Sequence, residues 1–390
     1  MMKNGCIIGW AHTRFGKLDE PDVEALMARV SRESLTHAEV APEDVDGVFV
    51  GVMNAGFSKQ SFEGAQVALG LPELAHVPSV HVENACASGS AALYAALDFI
   101  AAGRGKVALV IGAEKMTATP LADTSDVLLS ASYRKEEADV AGGFAGVFGQ
   151  IASNYFQRHG DRGYELGMIA AKNHQNGVYN EYAHIRKDLG IEFCSNVSEK
   201  NPYVARPLRR TDCSLISDGA AALVVADIDE VLSTKRAISF RAREHVNDLL
   251  PLSRRDSIAF EGTRLAWKKA KENAGVTLDD LDVIETHDCF TIAELIEYEA
   301  MGLAKAGQGY RVIREGISCK DGALPINPSG GLKSKGHPIG ATGVSQHIMV
   351  CMQLVGEAGG MQIDNVKLGA IHNMGGAAVT NYVSILEQVK

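Results

Sequence analysis

The sequence contains no run of 18 or more apolar residues, so it offers no membrane-spanning helix. Its opening stretch, Met1 to Trp10, is too short an apolar run for a secretory leader. Its last residues, Leu386 to Lys390, are not a peroxisomal Ser-Lys-Leu address. The seven cysteines, at 6, 86, 194, 213, 289, 319 and 351, form no Cys-x-x-Cys pair and no metal-ligand spacing. An odd, scattered set of thiols implies a reduced, cytoplasmic protein with no disulfide framework. Most of them are expected to be small buried hydrophobes. No Gly-x-Gly-x-x-Gly follows a strand, which argues against a dinucleotide site. Gly331 to Gly336 lacks the spacing and the Gly-Lys-Ser/Thr ending of a P-loop. Positive charge is also short: 38 Lys and Arg against 48 Asp and Glu leave a net charge of −10. That argues against a general nucleic-acid footprint and obliges any anionic ligand to find a local basic patch.

What is present is ample apolar material. The chain has 390 residues, 46% of them hydrophobic, enough for two or three domains. The order of elements repeats. Val40 to Val50 parallels Val276 to Thr286, each a short polar turn feeding a strand. Each is preceded by a helical stretch, Val23 to Ala38 and Phe260 to Ala274. Cys86 to Leu93 echoes His337 to Val344: a reactive residue, small residues, then an apolar helix. Strands at Val107 to Gly112 and Val366 to Ile371 follow those helices. This alternation predicts an α/β protein of two βαβαβ halves with parallel strands. Between Met116 and Arg210 the alternation breaks down, with helical pieces at Phe144 to His159 and Tyr164 to Asn176. So long a non-strand insertion is expected to be a small subdomain over the sheet edge. The expected division is 1–117 plus 211–232, then the insertion 118–210, then 233–390.

Four loops carry groups suited to chemistry. Cys86 follows a strand at Val80 to Val82 and opens a helix at Ala91 to Ala102. A helix N-terminus favours a thiolate, and small neighbours expose backbone N–H groups to an oxyanion. The alternative is a buried structural cysteine. His337 precedes Pro338, a residue suited to the first position of a helix; the alternative is a histidine that only caps it. His287-Asp288-Cys289-Phe290 follows the strand Asp282 to Thr286 and precedes a helix at Thr291 to Met301. There Asp288 could simply cap that helix, and Cys289 could be core. His372-Asn373-Met374-Gly375-Gly376 follows the last strand, with glycines that let backbone N–H groups approach a ligand or merely make a turn. A thiol beside an imidazole is the minimal kit for covalent acyl transfer.

These loops, in this order, resemble those of the thiolases, and more narrowly the sterol-carrier-protein-2 type. The matching stretches are Cys86 to Ser88, His287 to Phe290, Gly336 to Pro338 and Asn373 to Gly376, with Ser217 to Ala221 besides. Ordinary thiolases carry Asn-Glu-Ala-Phe at 287–290 and a cysteine at 373; both departures match the sterol-carrier type. No sterol-carrier lipid-binding domain is expected, since the sequence stops at 390. The resemblance implies a layered α/β/α/β/α thiolase fold and reversible Claisen condensation or thiolysis of 3-ketoacyl-CoA. It implies Cys86 as nucleophile, His337 as its base and Cys289 as acid and base. Cys86 and Gly375 would bind one oxyanion, and His287 and His337 the other. It further implies coenzyme A as substrate or product with no tightly bound cofactor or metal. A homodimer or homotetramer is also implied.

Between Arg158 and Arg210 nine Lys and Arg stand against six Asp and Glu, so the insertion could hold the CoA nucleotide; Arg206, Arg209 and Arg210 are the weak candidates. Three other readings share the sequence. One is a thiolase-like acyl shuttle or retro-aldolase subunit, working with a small zinc-ribbon/OB-fold partner. A ketoacyl synthase would use a cysteine–histidine–histidine set instead. The last is a CoA- or lipid-binding protein without catalysis.

Overall fold

The computed structural model describes residues 5–230 and 234–390. Eleven strands are described in chain order. They are β1 (Gly5–His12), β2 (Gly47–Gly51), β3 (Ser79–Val82), β4 (Val107–Glu114), β5 (Tyr203–Ala205), β6 (Leu208–Arg209), β7 (Gly219–Asp227), β8 (Ile238–Asn247), β9 (Val283–Glu285), β10 (Leu368–Gly375) and β11 (Thr380–Gln388). Nine form one sheet in the order β3-β2-β4-β7-β1-β8-β11-β10-β9. β4 and β7 are buried along nearly their whole length. That is why they read as near-continuous apolar runs and not as an alternation.

The sheet has two halves related by order. Read inwards, β3-β2-β4-β7-β1 of the first half corresponds to a bridge at Ile326, then β9-β10-β11-β8, of the second. The two meet through the antiparallel pairing of β1 with β8 at Ile7 and Ile238. One detail repeats atom for atom. Asp46 Oδ2 accepts the N–H groups of Lys106 and Val107 at 2.6 and 3.0 Å, and Asp282 Oδ2 those of Lys367 and Leu368 at 2.7 and 2.9 Å. Each carboxylate fastens the start of one strand to the entry of the next.

Helices Val23–Ala38 and Glu63–Gly70 cover the outside of the first half, and Glu261–Ala274 and Thr291–Met301 the outside of the second. Helices Ser88–Ala101 and Ile339–Leu354 pack together between the halves, and the second is buried at every residue. These are the five layers α/β/α/β/α.

The strands are not all parallel. β2 is parallel to β3 and β4, and β9 to β10, as alternation predicts; β7 is antiparallel to β4, and β11 to β10. The reason is where the chain returns. It leaves β4 at Glu114, and after the insertion it comes back beside that same end, Gly219 facing Glu114. It can only run back antiparallel. Between β10 and β11 the return is a tight turn.

The insertion holds helices Leu121–Leu128, Gly143–His159 and Gly163–Gly177 and the small hairpin β5–β6. It is anchored to the second half by buried polar contacts. Lys172 Nζ pairs with Glu294, and Asn173 Nδ2 donates to Asp288 Oδ2 at 2.8 Å and Glu294 Oε2 at 2.7 Å. A buried ion pair joined to further hydrogen bonds is costly to break from one side.

Candidate active site

The turn that carries Cys86 is closed by its own hydroxyl. Ser88 Oγ accepts from Asn84 N at 2.9 Å and donates to Ala85 O at 2.7 Å. Ala85 is left-handed, with φ of 49°, and a side chain there costs energy that the surrounding bonds must hold. Asn84 adds bonds to Tyr382 Oη at 2.8 Å and Thr380 Oγ1 at 3.2 Å. The thiol therefore projects from a sharp turn just before the helix Ser88–Ala101, and is 3% exposed.

His337 lies before the helix Ile339–Leu354. Pro338 caps that helix with extended geometry instead of occupying its first turn, one residue from the predicted place. Asp288 also departs from expectation. It does not cap the helix Thr291–Met301; its carboxylate accepts from Leu332 N at 2.6 Å and Lys333 N at 3.1 Å, at the start of the helix Gly331–Lys335. Its function is thus to tie the His287–Cys289 loop to the chain that leads into His337.

These elements bring the reactive groups together. The sulfur of Cys86, a ring nitrogen of His287 and a ring nitrogen of His337 all lie within 4.8 Å of one another. The two imidazoles meet edge to face, centroids 5.1 Å apart. A cavity of about 460 Å³ opens onto Cys86, Cys289 and His337, with Met116, Leu128, Phe144, Phe290 and Ile339 among its apolar walls. Phe290 stacks on Phe148 at 4.3 Å, and Phe144 meets Phe148 edge-on at 5.6 Å. His287 is fully buried, with a ring nitrogen held against the cavity-lining Cys86 and His337. Cys213, which nothing in the sequence singled out, contributes a third thiol to the same cavity.

The electrostatics correct one expectation. Burial pushes the Cys86 thiol up to about 12, outweighing the Gly376 and Cys86 N–H groups that favour the anion. A helix mouth lowers a thiol only where the charge keeps some hydration. Burial also raises Cys289 well above an ordinary thiol, with the Cys86 charge next in importance. His337 is pushed down to about 3 by burial and then by the Lys335 cation, and His287 well below its ordinary value by burial and then by its neighbouring histidines. Burial thus disfavours charge on both thiols and on both imidazoles.

Asn373 and Thr342 complete it. Asn373 Nδ2 donates to Cys86 O at 3.2 Å and lies 2.9 Å from His287 Nδ1, while Ser90 Oγ donates to Asn373 Oδ1 at 2.7 Å. Thr342 Oγ1 lies 2.6 Å from His337 Nδ1 and donates to Pro338 O at 3.0 Å. Sequence patterns did not reveal these partners, because each depends on a contact made in space. Cys86, His287 and His337 are the one cluster among the described residues with the donors and spacing of a metal site.

Of the three arginines considered for CoA, Arg209 is excluded. It is 4% exposed, pairs with Asp212 at 2.8 Å and donates to Gly163 O at 2.6 Å, so its guanidinium is occupied inside the insertion. Arg210 is exposed, as is Arg206, whose guanidinium lies over Tyr203, 4.2 Å from the ring centre. Among the described residues no helix is long and apolar enough to cross a membrane.

Residues 6–229 match the family described as "Thiolase, N-terminal domain", and residues 245–388 "Thiolase C-terminal domain-like". The chain is 34% identical to an acetyl-CoA acetyltransferase of Methanothermobacter thermautotrophicus, over 99% of this chain and 100% of that one. It is 32% identical to human sterol carrier protein 2, over 96% of this chain and 70% of that one. Among solved structures, the Ltp2-ChsH2(DUF35) aldolase superposes with a TM-score of 0.83 at 18% identity, covering 98% of this chain and 97% of that one. At that identity it speaks for the fold alone. With both domains matched in order, the chain belongs to the thiolase family of acyltransferase enzymes.

Proposed function

We propose that the chain catalyses reversible Claisen condensation and thiolysis of 3-ketoacyl-CoA through an acyl thioester on Cys86. The observation that carries this is the approach of Cys86, His287 and His337 within 4.8 Å, beside a cavity that also holds Cys289. The elevated thiol requires a base at the moment of attack, and neutral His337 is placed to be that base.

His337 takes the Cys86 proton as the sulfur attacks the thioester carbonyl. The oxyanion is received by the N–H groups of Cys86 and Gly375. CoA leaves with the proton of Cys289, a thiol raised enough to serve as an acid first. That step leaves acyl-Cys86, a Cys289 thiolate and a His337 imidazolium. The Cys289 thiolate then removes the α-proton of a second acyl-CoA, and His287 and His337 hold the enolate oxygen. The enolate carbon attacks the acyl carbonyl, the bond to sulfur 86 breaks, and Cys86 recovers its proton from His337. Every group returns to its starting state, and thiolysis is the reverse.

The finer readings follow. Coenzyme A is substrate and product, with no bound cofactor, and exposed Arg206 and Arg210 on the insertion are the candidates for its phosphates. The domain division is 1–117 plus 211–232, 118–210 and 233–390, supported by the return of β7 into the first half; the boundary at 232/233 lies outside the described residues. A homodimer or homotetramer is supported by the edge strand β3, where Val80 is 43% exposed, and by Phe62 at 76% just before the neighbouring helix and Leu69 at 67% on it. Seven free thiols support a cytoplasmic location. A zinc-ribbon/OB-fold partner would accompany the retro-aldolase reading, which the cysteine at 86 disfavours.

The test is a thiolysis panel of 3-ketoacyl-CoAs from four carbons upward, with mass spectrometry of the protein after acyl-CoA. An acyl adduct on Cys86 that is lost in Cys86→Ser supports the proposal. CoA binding with no adduct and no thiolysis would identify a non-catalytic binding protein instead.

A further inference from the structure

The two histidines of the site are held in opposite tautomers by two side chains outside the reacting set. The Thr342 hydroxyl has one hydrogen and two neighbours. Pro338 O can only accept, so keeping both bonds sends the hydrogen there, and the oxygen then accepts from the other neighbour, His337 Nδ1. His337 therefore carries its proton on Nδ1, with the lone pair on Nε2. Asn373 imposes the reverse. Cys86 O can only accept, and Ser90 Oγ donates to Asn373 Oδ1, so the amide NH₂ faces Cys86 O and His287 Nδ1. An NH₂ offers only hydrogens, so His287 Nδ1 must present its lone pair and carry its proton on Nε2. That Nε2–H is buried and has no hydrogen-bond partner among the described residues.

We propose that Thr342 and Asn373 are positioning residues that divide the labour of the two imidazoles. Thr342 makes His337 the proton acceptor for Cys86, and Asn373 makes His287 a fixed hydrogen-bond donor for the enolate oxygen. This rests on the thiolase reading above. It also separates the site from a metal centre. The trio presents two lone-pair ligands, sulfur 86 and His337 Nε2, because the third nitrogen is capped by hydrogen. Asn373→Asp would accept a proton from His287 Nδ1, turn the imidazole over and complete a soft-cation set.

The direct readout is ¹⁵N chemical shift in histidine-labelled protein, with His287 and His337 assigned by substitution. The expected result is pyrrole-type Nδ1 for His337 and pyrrole-type Nε2 for His287. The same tautomer in both rings would overturn the inference.

Kinetics supply the second readout by separating two half-reactions. Acetyl exchange between acetyl-CoA and CoA needs Cys86, its base His337 and the acid Cys289, whereas condensation also needs the enolate donor. Thr342→Val should slow both together by about 10²-fold, the size of a lost general base, with Thr342→Ser restoring them. Asn373→Asp should slow condensation by about 10²–10³-fold, as expected for a lost oxyanion donor, and exchange far less. It should also make the enzyme sensitive to lower Zn²⁺ concentrations than wild type. Equal losses in both half-reactions for Asn373→Asp would assign Asn373 a merely structural role. Wild-type protein that neither exchanges nor condenses would sink the thiolase reading, and the shift measurement would still judge the tautomers.

Discussion

The carboxylate of Asp288 accepts the backbone N–H groups of Leu332 and Lys333 at 2.6 and 3.1 Å, so the loop bearing Cys289 is fastened to the strand of chain that delivers His337. Forty-odd residues of sequence separate them, yet one buried side chain sets their distance. Asp288→Ala would leave those two backbone donors unsatisfied and Asn173 with only its bond to Glu294. A loss of about 2–4 kcal/mol in denaturant-derived stability is expected, with turnover falling alongside. Full stability in that variant would remove Asp288 from its anchoring role.

The thiol chemistry makes a pH prediction. Burial pushes Cys86 up to about 12 and His337 down to about 3, which disfavours an ion pair that would keep the thiolate populated. Alkylation of Cys86 by iodoacetamide should rise roughly tenfold per pH unit from 7 to 9. A flat profile across that range would mean a preformed thiolate–imidazolium pair.

Cys289→Ala divides the reaction at its middle. Acylation of Cys86 from acyl-CoA should survive more slowly, because the leaving CoA loses its acid. Condensation should fall below detection for want of a base. Normal condensation would return the acid–base task to another group.

Gly343 is where the two central helices touch. A Cβ there would lie 2.4 Å from Ser90 Oγ and Asn373 Oδ1, the side chains that meet beside His287, and equally close to Ser90 N. Gly343→Ala should separate the helices that bear the nucleophile and the base, lowering turnover more than CoA binding. It should also cost about 1–3 kcal/mol, the usual range for overpacking. Unchanged turnover would show that the crossing tolerates a wider gap.

Buried histidines draw stability from this protein in acid, against the opposing pull of Glu114 and Asp288, which burial raises to about 7 and about 8. Burial holds His12 and His337 down to about 3 and His347 to about 4, and His287 well below its ordinary value. As pH falls from 6.5 toward 4, the unfolded chain binds protons that the folded one refuses. The stabilisation present above 6.5 is therefore lost, at about 1.4 kcal/mol per pH unit for each such histidine. Equilibrium unfolding of wild type beside His347→Gln between pH 7 and 4 checks this: wild-type stability should fall relative to the variant as pH drops, and parallel curves would contradict it.

Much of the fold was legible because its signals are local. The helix Val23–Ala38 falls at its predicted residues and Thr291–Met301 at its own, each written in apolar spacing and bounded by a turn. The repeat was visible for the same reason, since Val40 to Val50 and Val276 to Thr286 encode the same turn and strand. Strand direction was not, because β7 is antiparallel only by virtue of where the insertion returns. The burial that raises Cys86 was equally hidden: it comes from helices, a cavity wall and a glycine loop contributed by distant segments.

Sequence alone named the candidate reactive groups: thiols at 86 and 289, imidazoles at 287 and 337, each beside small or turn-forming residues. Tertiary structure decided what state those groups are in. Protonation, tautomer and mutual distance depend on desolvation and on single hydrogen-bond partners such as Thr342 and Asn373. Those partners become neighbours only when two halves of the chain close around a pair of buried helices, and no pattern along the sequence encodes a contact of that range.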